Sequence, residues 1–151
     1  MARNGMNPSA LCDGIDSEYE ERVFDRFRRQ AFLRFIGAEL VRVLPGCCTV
    51  ELSYRKDLTG DPRRFHPGVM GSLAVSACEC AALSLLSPDS SLTAIDQTLN
   101  LLAPAEGDVL VANARVIKSS EATTVCTAEM YVRRNQSQNL CAMALVTLVP
   151  G

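Results

Sequence analysis

A single carboxylate stands in a long apolar stretch. Across residues 68–86 the side chains are apolar or small nearly all round a helix, and Glu79 is the only charge between positions 69 and 86. Ser72, Ser76 and Glu79 recur at i, i+4, i+7 spacing. With Val75 they form one narrow polar face on a helix that must otherwise be buried. A glutamate so placed has two roles open to it. It can take a proton from water as a general base, or it can pair with an arginine at a subunit interface, because a buried carboxylate without a partner costs several kcal/mol. Ser72, Val75 and Ser76 would then line a substrate site on the same face. His66, the sole histidine, sits two residues ahead of Gly68 at the helix start, as a structural hydrogen-bonder, a substrate contact or a catalytic proton shuttle. Asn100 and Asp96 alternate with Ile95, Leu99 and Leu101 along a strand, so both are expected to point away from the core. That leaves Asn100 as a solvated, interfacial or substrate-facing asparagine.

The elements that must position these residues are legible in order. Asp16 or Ser17 caps an amphipathic helix over residues 17–35, with Glu18, Glu20 and Glu21 in its first turn and Val23, Phe24, Phe27, Ala31 and Phe35 at helical spacing. Gly37 ends it. A strand over 38–43, the turn Pro45-Gly46 and a strand over 47–55 make a hairpin. Residues 56–64 read as a polar surface loop containing Gly60 and Pro62. The apolar helix over 68–86 is stopped by Pro88, and strands follow over 92–102, 109–118, 122–133 and 140–149. The sum is an α+β pattern with an antiparallel sheet on one central helix.

Composition narrows the function classes. At 151 residues and 48% hydrophobic, the chain is sized for one packed core, expected over residues 16–151 behind a flexible N-terminus over 1–15. Fifteen basic and seventeen acidic residues nearly cancel, with no basic stripe, which disfavours a nucleic-acid partner. No segment approaches the ~20 apolar residues of a membrane span or looks like an export signal, so a soluble, cytoplasmic protein with no membrane partner is expected. Seven cysteines lack metal-site spacing and are expected to be reduced packing residues, with no metal and no cofactor.

Phe65-His66-Pro67-Gly68-Val69, then Leu99-Asn100-Leu101-Leu102-Ala103-Pro104-Ala105 with Gly107-Asp108, then residues 112–118 leading into Thr123-Thr124-Val125, resemble in order and spacing the hot-dog-fold acyl-CoA thioesterases of the phenylacetate-pathway (PaaI-like) type. The resemblance spans roughly residues 30–149. It implies a curled antiparallel sheet wrapped around a long central helix, subunits paired as a homodimer or dimer of dimers, and an acyl-CoA substrate. Gly68 matches the second glycine of the family's His-Gly-Gly motif, whose N–H at the helix N-terminus donates to a thioester oxygen that gains charge; its other reading is a turn glycine. Arg64, with Arg63, Arg133, Arg134 and Lys118, offers cations for the phosphates of coenzyme A.

Four positions depart from the family pattern. The catalytic carboxylate expected nine residues after the motif histidine is Val75, which can neither accept a proton nor align a water. Pro67 replaces the middle glycine and removes a backbone donor. Gly60 stands where a polarising loop amide is common, and Ser120-Glu121 replaces a Gly-Arg pair. Glu79, one turn beyond Val75 and about 40° round the helix, is the candidate replacement base. The rival expectation is a catalytically silent hot-dog protein that binds an acyl-CoA or a protein partner. A dehydratase, suggested by Pro67-Gly68-Val69, is disfavoured because Leu73 stands near its expected glutamate.

Overall fold

The computed structural model describes residues 18–61 and 63–151. The expected cap at Asp16 or Ser17, the N-terminal segment and Cys12 lie outside them. Val23 and Phe27, one turn apart, are buried and fix the inner face of α1 (Tyr19–Arg29). The single helix expected over 17–35 is in fact two. Gln30 adopts extended geometry (φ −72°, ψ 109°), and α2 (Ala31–Ile36) follows. Continuing α1 unbroken would have turned Ala31 and Arg34 inward and Leu33 and Ile36 outward. The break reverses this: Leu33 and Ile36 are buried, while Ala31 and Phe35, expected in the core, are exposed.

Gly37, left-handed at φ 79°, closes α2 and admits β1 (Ala38–Leu44). Pro45 and Gly46, the latter at φ 71°, turn the chain into β2 (Cys47–Ser53), with proline's fixed φ followed by a left-handed residue as this turn requires. Residues 56–64 are more ordered than a plain polar loop. One 3-10 turn (Lys56–Leu58) buries Leu58, and β3 (Thr59–Asp61) pairs with β4 (Arg64–Phe65). Backbone hydrogen bonds from His66 N–H to the Leu58 carbonyl (3.0 Å) and from Phe65 N–H to the Ala105 carbonyl (3.0 Å) tie this segment down. The apolar leucine and those two bonds outweigh the polar composition.

The long helix α3 (Pro67–Leu83) starts with proline at its first position, where a missing N–H costs nothing. It ends at Leu83, ahead of Pro88; the Ser84 N–H still bonds the Cys80 carbonyl, and Leu85 and Leu86 close with tighter i→i−3 bonds. Beyond it, β5 (Leu92–Leu101), β6 (Val109–Ser119), β7 (Thr124–Arg134) and β8 (Ser137–Pro150) complete one antiparallel sheet of order β1-β2-β6-β7-β8-β5. Its inner face presents small residues beneath the helix, Ala112, Ala128 and Ala144, ringed by Val50, Leu110, Met130 and Val146. This is the hot-dog architecture that the resemblance implied, with α3 at its centre.

Leu73 is fully buried at the middle of that contact. Leu73→Ala is expected to cost about 2–5 kcal/mol, the range for a buried leucine leaving a cavity, read as a lower denaturation midpoint at unchanged slope.

One strand reading needs correction. Of Ile95, Leu99 and Leu101 on β5, Leu99 alone packs on the core, joining Leu92 and Ala94 nearer the strand start; Ile95 is 61% and Leu101 54% exposed. A bulge between Ala94 and Asp96 breaks the alternation, and β5 is an edge strand. Val111, on the outer face of β6, is only 3% exposed, between Glu51 and Tyr131 in register. Among the described residues, no helix is long and apolar enough to cross a membrane.

Candidate active site

One face of α3 escapes burial. Gly68 is exposed, and Ser72, Val75 and Glu79 are half-buried, all at helical spacing, while nearly every other position from Met70 to Leu83 is buried. This stripe forms the floor of an open cleft of about 500 Å³, walled by Gln30 and Phe32 from the α1–α2 junction and by Gln97 and Leu99 from β5. Gly68, Ser72, Val75, Ser76 and Glu79 are therefore brought together. Asn100, on the other face of β5, does not line the cleft.

At the helix start, the Gly68 N–H donates to His66 Nδ1 at 2.9 Å. His66 thus caps α3 with its side chain, an arrangement that puts the ring proton on Nε2. The Val69 and Met70 N–H groups both donate to the His66 carbonyl, and Pro67 has none to offer. The first turn of α3 has no idle backbone donor. The His66 ring fits between two glycines: a Cβ on Gly60 would lie 3.1 Å, and one on Gly68 3.0 Å, from its atoms. Gly60 thereby supplies room for the cap.

Along the floor, Ser72 Oγ donates to the Gly68 carbonyl (2.8 Å) and Ser76 Oγ to the Ser72 carbonyl (2.9 Å). Both hydroxyls spend their proton on the helix and turn acceptor lone pairs to the cleft. Glu79 has no hydrogen bond or ion pair among the described residues. Desolvation by burial pushes its carboxyl pKa above the usual glutamate range. An unpaired carboxylate with a raised pKa beside hydroxyl acceptors can hold a water and take its proton.

Pro67 also borders a second cavity of about 220 Å³, lined by Arg64, Phe65, His66, Met70, Leu101 and Pro104 among others. Arg64 is held by Glu106 (2.7 Å), and Arg133 by a two-pronged bond to Glu51 (2.8 Å each). Arg63 and Arg134 form no ion pair among the described residues, and they share a cavity of about 240 Å³ with Tyr54, Glu106 and Asp108. Lys118 is exposed on β6.

The six described cysteines are free thiols, and all but Cys47 are buried. Thiol neighbours and burial raise the pKa of Cys48 and Cys78, and burial lifts Cys141 to about 11. Sequence reasoning missed Gln30, Phe32 and Gln97. The break at Gln30 and the bulge in β5 place them, and neither carries a local signal.

A family model described as the thioesterase superfamily matches residues 64–138. The chain is similar to a thioesterase family protein from Silicibacter pomeroyi, at 31% identity over 87% of this chain and 97% of that one, with a TM-score of 0.84. It is also similar to the E. coli PaaI protein from the phenylacetic acid degradation operon (21% identity, 89% and 94% covered, TM-score 0.78). A thioesterase from Haemophilus influenzae aligns at 17% identity over 83% and 86%, with a TM-score of 0.74. These last two likenesses speak to the fold. No curated protein matches the sequence.

Proposed function

We propose that this chain, which belongs to the thioesterase superfamily, hydrolyses an acyl-CoA thioester in the α3 cleft with Glu79 as general base. The observation that carries the reading is the stripe from Gly68 to Glu79, floored by hydroxyls and ending in a carboxylate without a partner among the described residues. A water held by Glu79 and Ser76 loses a proton to the carboxylate as its oxygen attacks the thioester carbon. The carbonyl π pair moves onto oxygen, at the positive end of the helix dipole. As the C=O bond re-forms, the C–S bond breaks, and the thiolate leaves with that electron pair and takes up the proton from Glu79. To use the Gly68 N–H, the carbonyl oxygen must share or replace the bond made to His66 Nδ1. Arg63 and Arg134, cations without ion-pair partners among the described residues, suit the phosphates of coenzyme A better than Arg64, which Glu106 already holds.

The occupied Gly68 N–H and Val75 favour a second reading, a silent binder of acyl-CoA. Incubating the purified protein with a panel of acyl-CoA esters and detecting free thiol separates the two. Turnover supports the hydrolase; saturable binding without turnover replaces it with the binder.

The proposed enzyme is a homodimer or dimer of dimers. Edge strand β5 leaves one side of its backbone unpaired, and Ile95, Leu101, Met143 and Leu145 are exposed on β5 and β8. Light scattering at micromolar concentration is expected to give at least twice the chain mass; a monomer would contradict the assembly.

A further inference from the structure

We infer that the side-chain amide of Gln97 donates to the thioester oxygen as charge develops on it, which rests on the hydrolase reading above. Gln97 comes from β5, yet its amide lies directly on α3. A Cβ on Gly71 would stand 2.7 Å from Gln97 Nε2, so the missing side chain of Gly71 is the space that the amide fills. Gly71 is three residues from Gly68 and four from Val75, which places the amide beside the floor of the cleft, between the helix start and Glu79.

The other donors along the cleft floor are already engaged. Among the described residues, the Gly68 N–H is held by His66 Nδ1, the Val69 and Met70 N–H groups by the His66 carbonyl, and the Ser72 and Ser76 protons by helix carbonyls. The Gln97 amide has no hydrogen-bond partner among them. Of the two carboxamides lining the cleft, Gln30 stands at the α1–α2 break, whereas Gln97 lies on the α3 backbone. An N–H pair there with no partner among the described residues can follow a carbonyl oxygen from ground state to oxyanion without breaking a bond within the fold, which suits a transition-state donor.

The test uses the full chain and the acyl-CoA ester that the wild-type protein turns over fastest. Gln97→Ala is expected to lower kcat by about ten- to a hundred-fold, less than a fully enclosed oxyanion donor because the cleft is open to water, with KM changed by less than about three-fold. Gln97→Glu, nearly isosteric, should lower kcat at least as far, since a carboxylate repels the developing charge. Gly71→Ala, whose Cβ displaces the amide, should lower kcat in the wild-type background and have no further effect in Gln97→Ala. A merely structural role would shift the melting temperature and leave the kcat-against-KM pattern and this non-additivity absent. Wild-type turnover with kcat unchanged in Gln97→Ala would overturn the assignment while sparing the hydrolase; no wild-type turnover on any ester would overturn both.

Discussion

Glu79→Gln is expected to slow thioester hydrolysis by roughly 10²- to 10⁴-fold, the span for a positioned acid–base group, while the protein stays folded. Glutamine keeps the shape and loses only the ability to accept a proton. The same substitution should move stability in the opposite direction to activity. Burial raises the folded-state pKa of Glu79 above its unfolded value, and no described residue offsets that penalty. Between the two pKa values the folded state therefore holds the proton more often than the unfolded one. The favourable contribution is full below the ordinary glutamate pKa and is lost as pH rises through the raised folded value. At neutral pH the wild type thus bears the cost of burying this carboxyl, either as a desolvated charge or by taking up a proton, and the glutamine variant does not. Glu79→Gln is expected to melt higher than wild type at neutral pH, with the difference vanishing in acid. A variant that melts lower at neutral pH would instead point to an ion pair, the interface-arginine role that the sequence left open.

In the Glu79→Gln background, Val75→Asp is expected to restore hydrolysis by about 10²-fold, again from the magnitude of acid–base help. Val75 is half-buried on the cleft floor, one turn nearer Gly68, so a carboxylate there reaches the same water from closer to the helix start. The glutamine background matters because two carboxylates one turn apart would raise each other's pKa. Desolvation will still lift the new aspartate and cost some stability, so recovery should be larger at higher pH. A folded double variant that recovers nothing, from a wild type that also lacks turnover, would mean that the cleft no longer holds a thioester for attack. The silent binder would then be the better account.

The fold and the polar stripe were legible for different reasons. Ser72, Val75, Ser76 and Glu79 could be placed on one face because a 17-residue helix without an internal break keeps its phase, and a single charge in an apolar run marks that face. The hairpin was legible because Pro45-Gly46 admits few turns. The break at Gln30 was not, because no glycine or proline signals it. It arises from the need to bury Leu33 and Ile36, a tertiary demand that overrides local propensity. Strand β5 misled for a similar reason: one extra residue near Ile95 shifts the phase, so simple alternation cannot say which side chains meet α3. The engagement of Gly68 by His66 depends on a ring orientation between two glycines, and spacing alone carries no trace of it.

The central claim, a working glutamate on the α3 face, is tested most directly by the pH dependence of kcat/KM for thiol release from an acyl-CoA ester, measured for wild type and Glu79→Gln side by side. The account predicts that wild-type activity rises through a single ionisation lying above the usual glutamate range, the side to which burial shifts this carboxyl, and that this limb is absent from the residual activity of the variant. A wild-type limb that persists unchanged in Glu79→Gln, with the rate also unchanged, would contradict it.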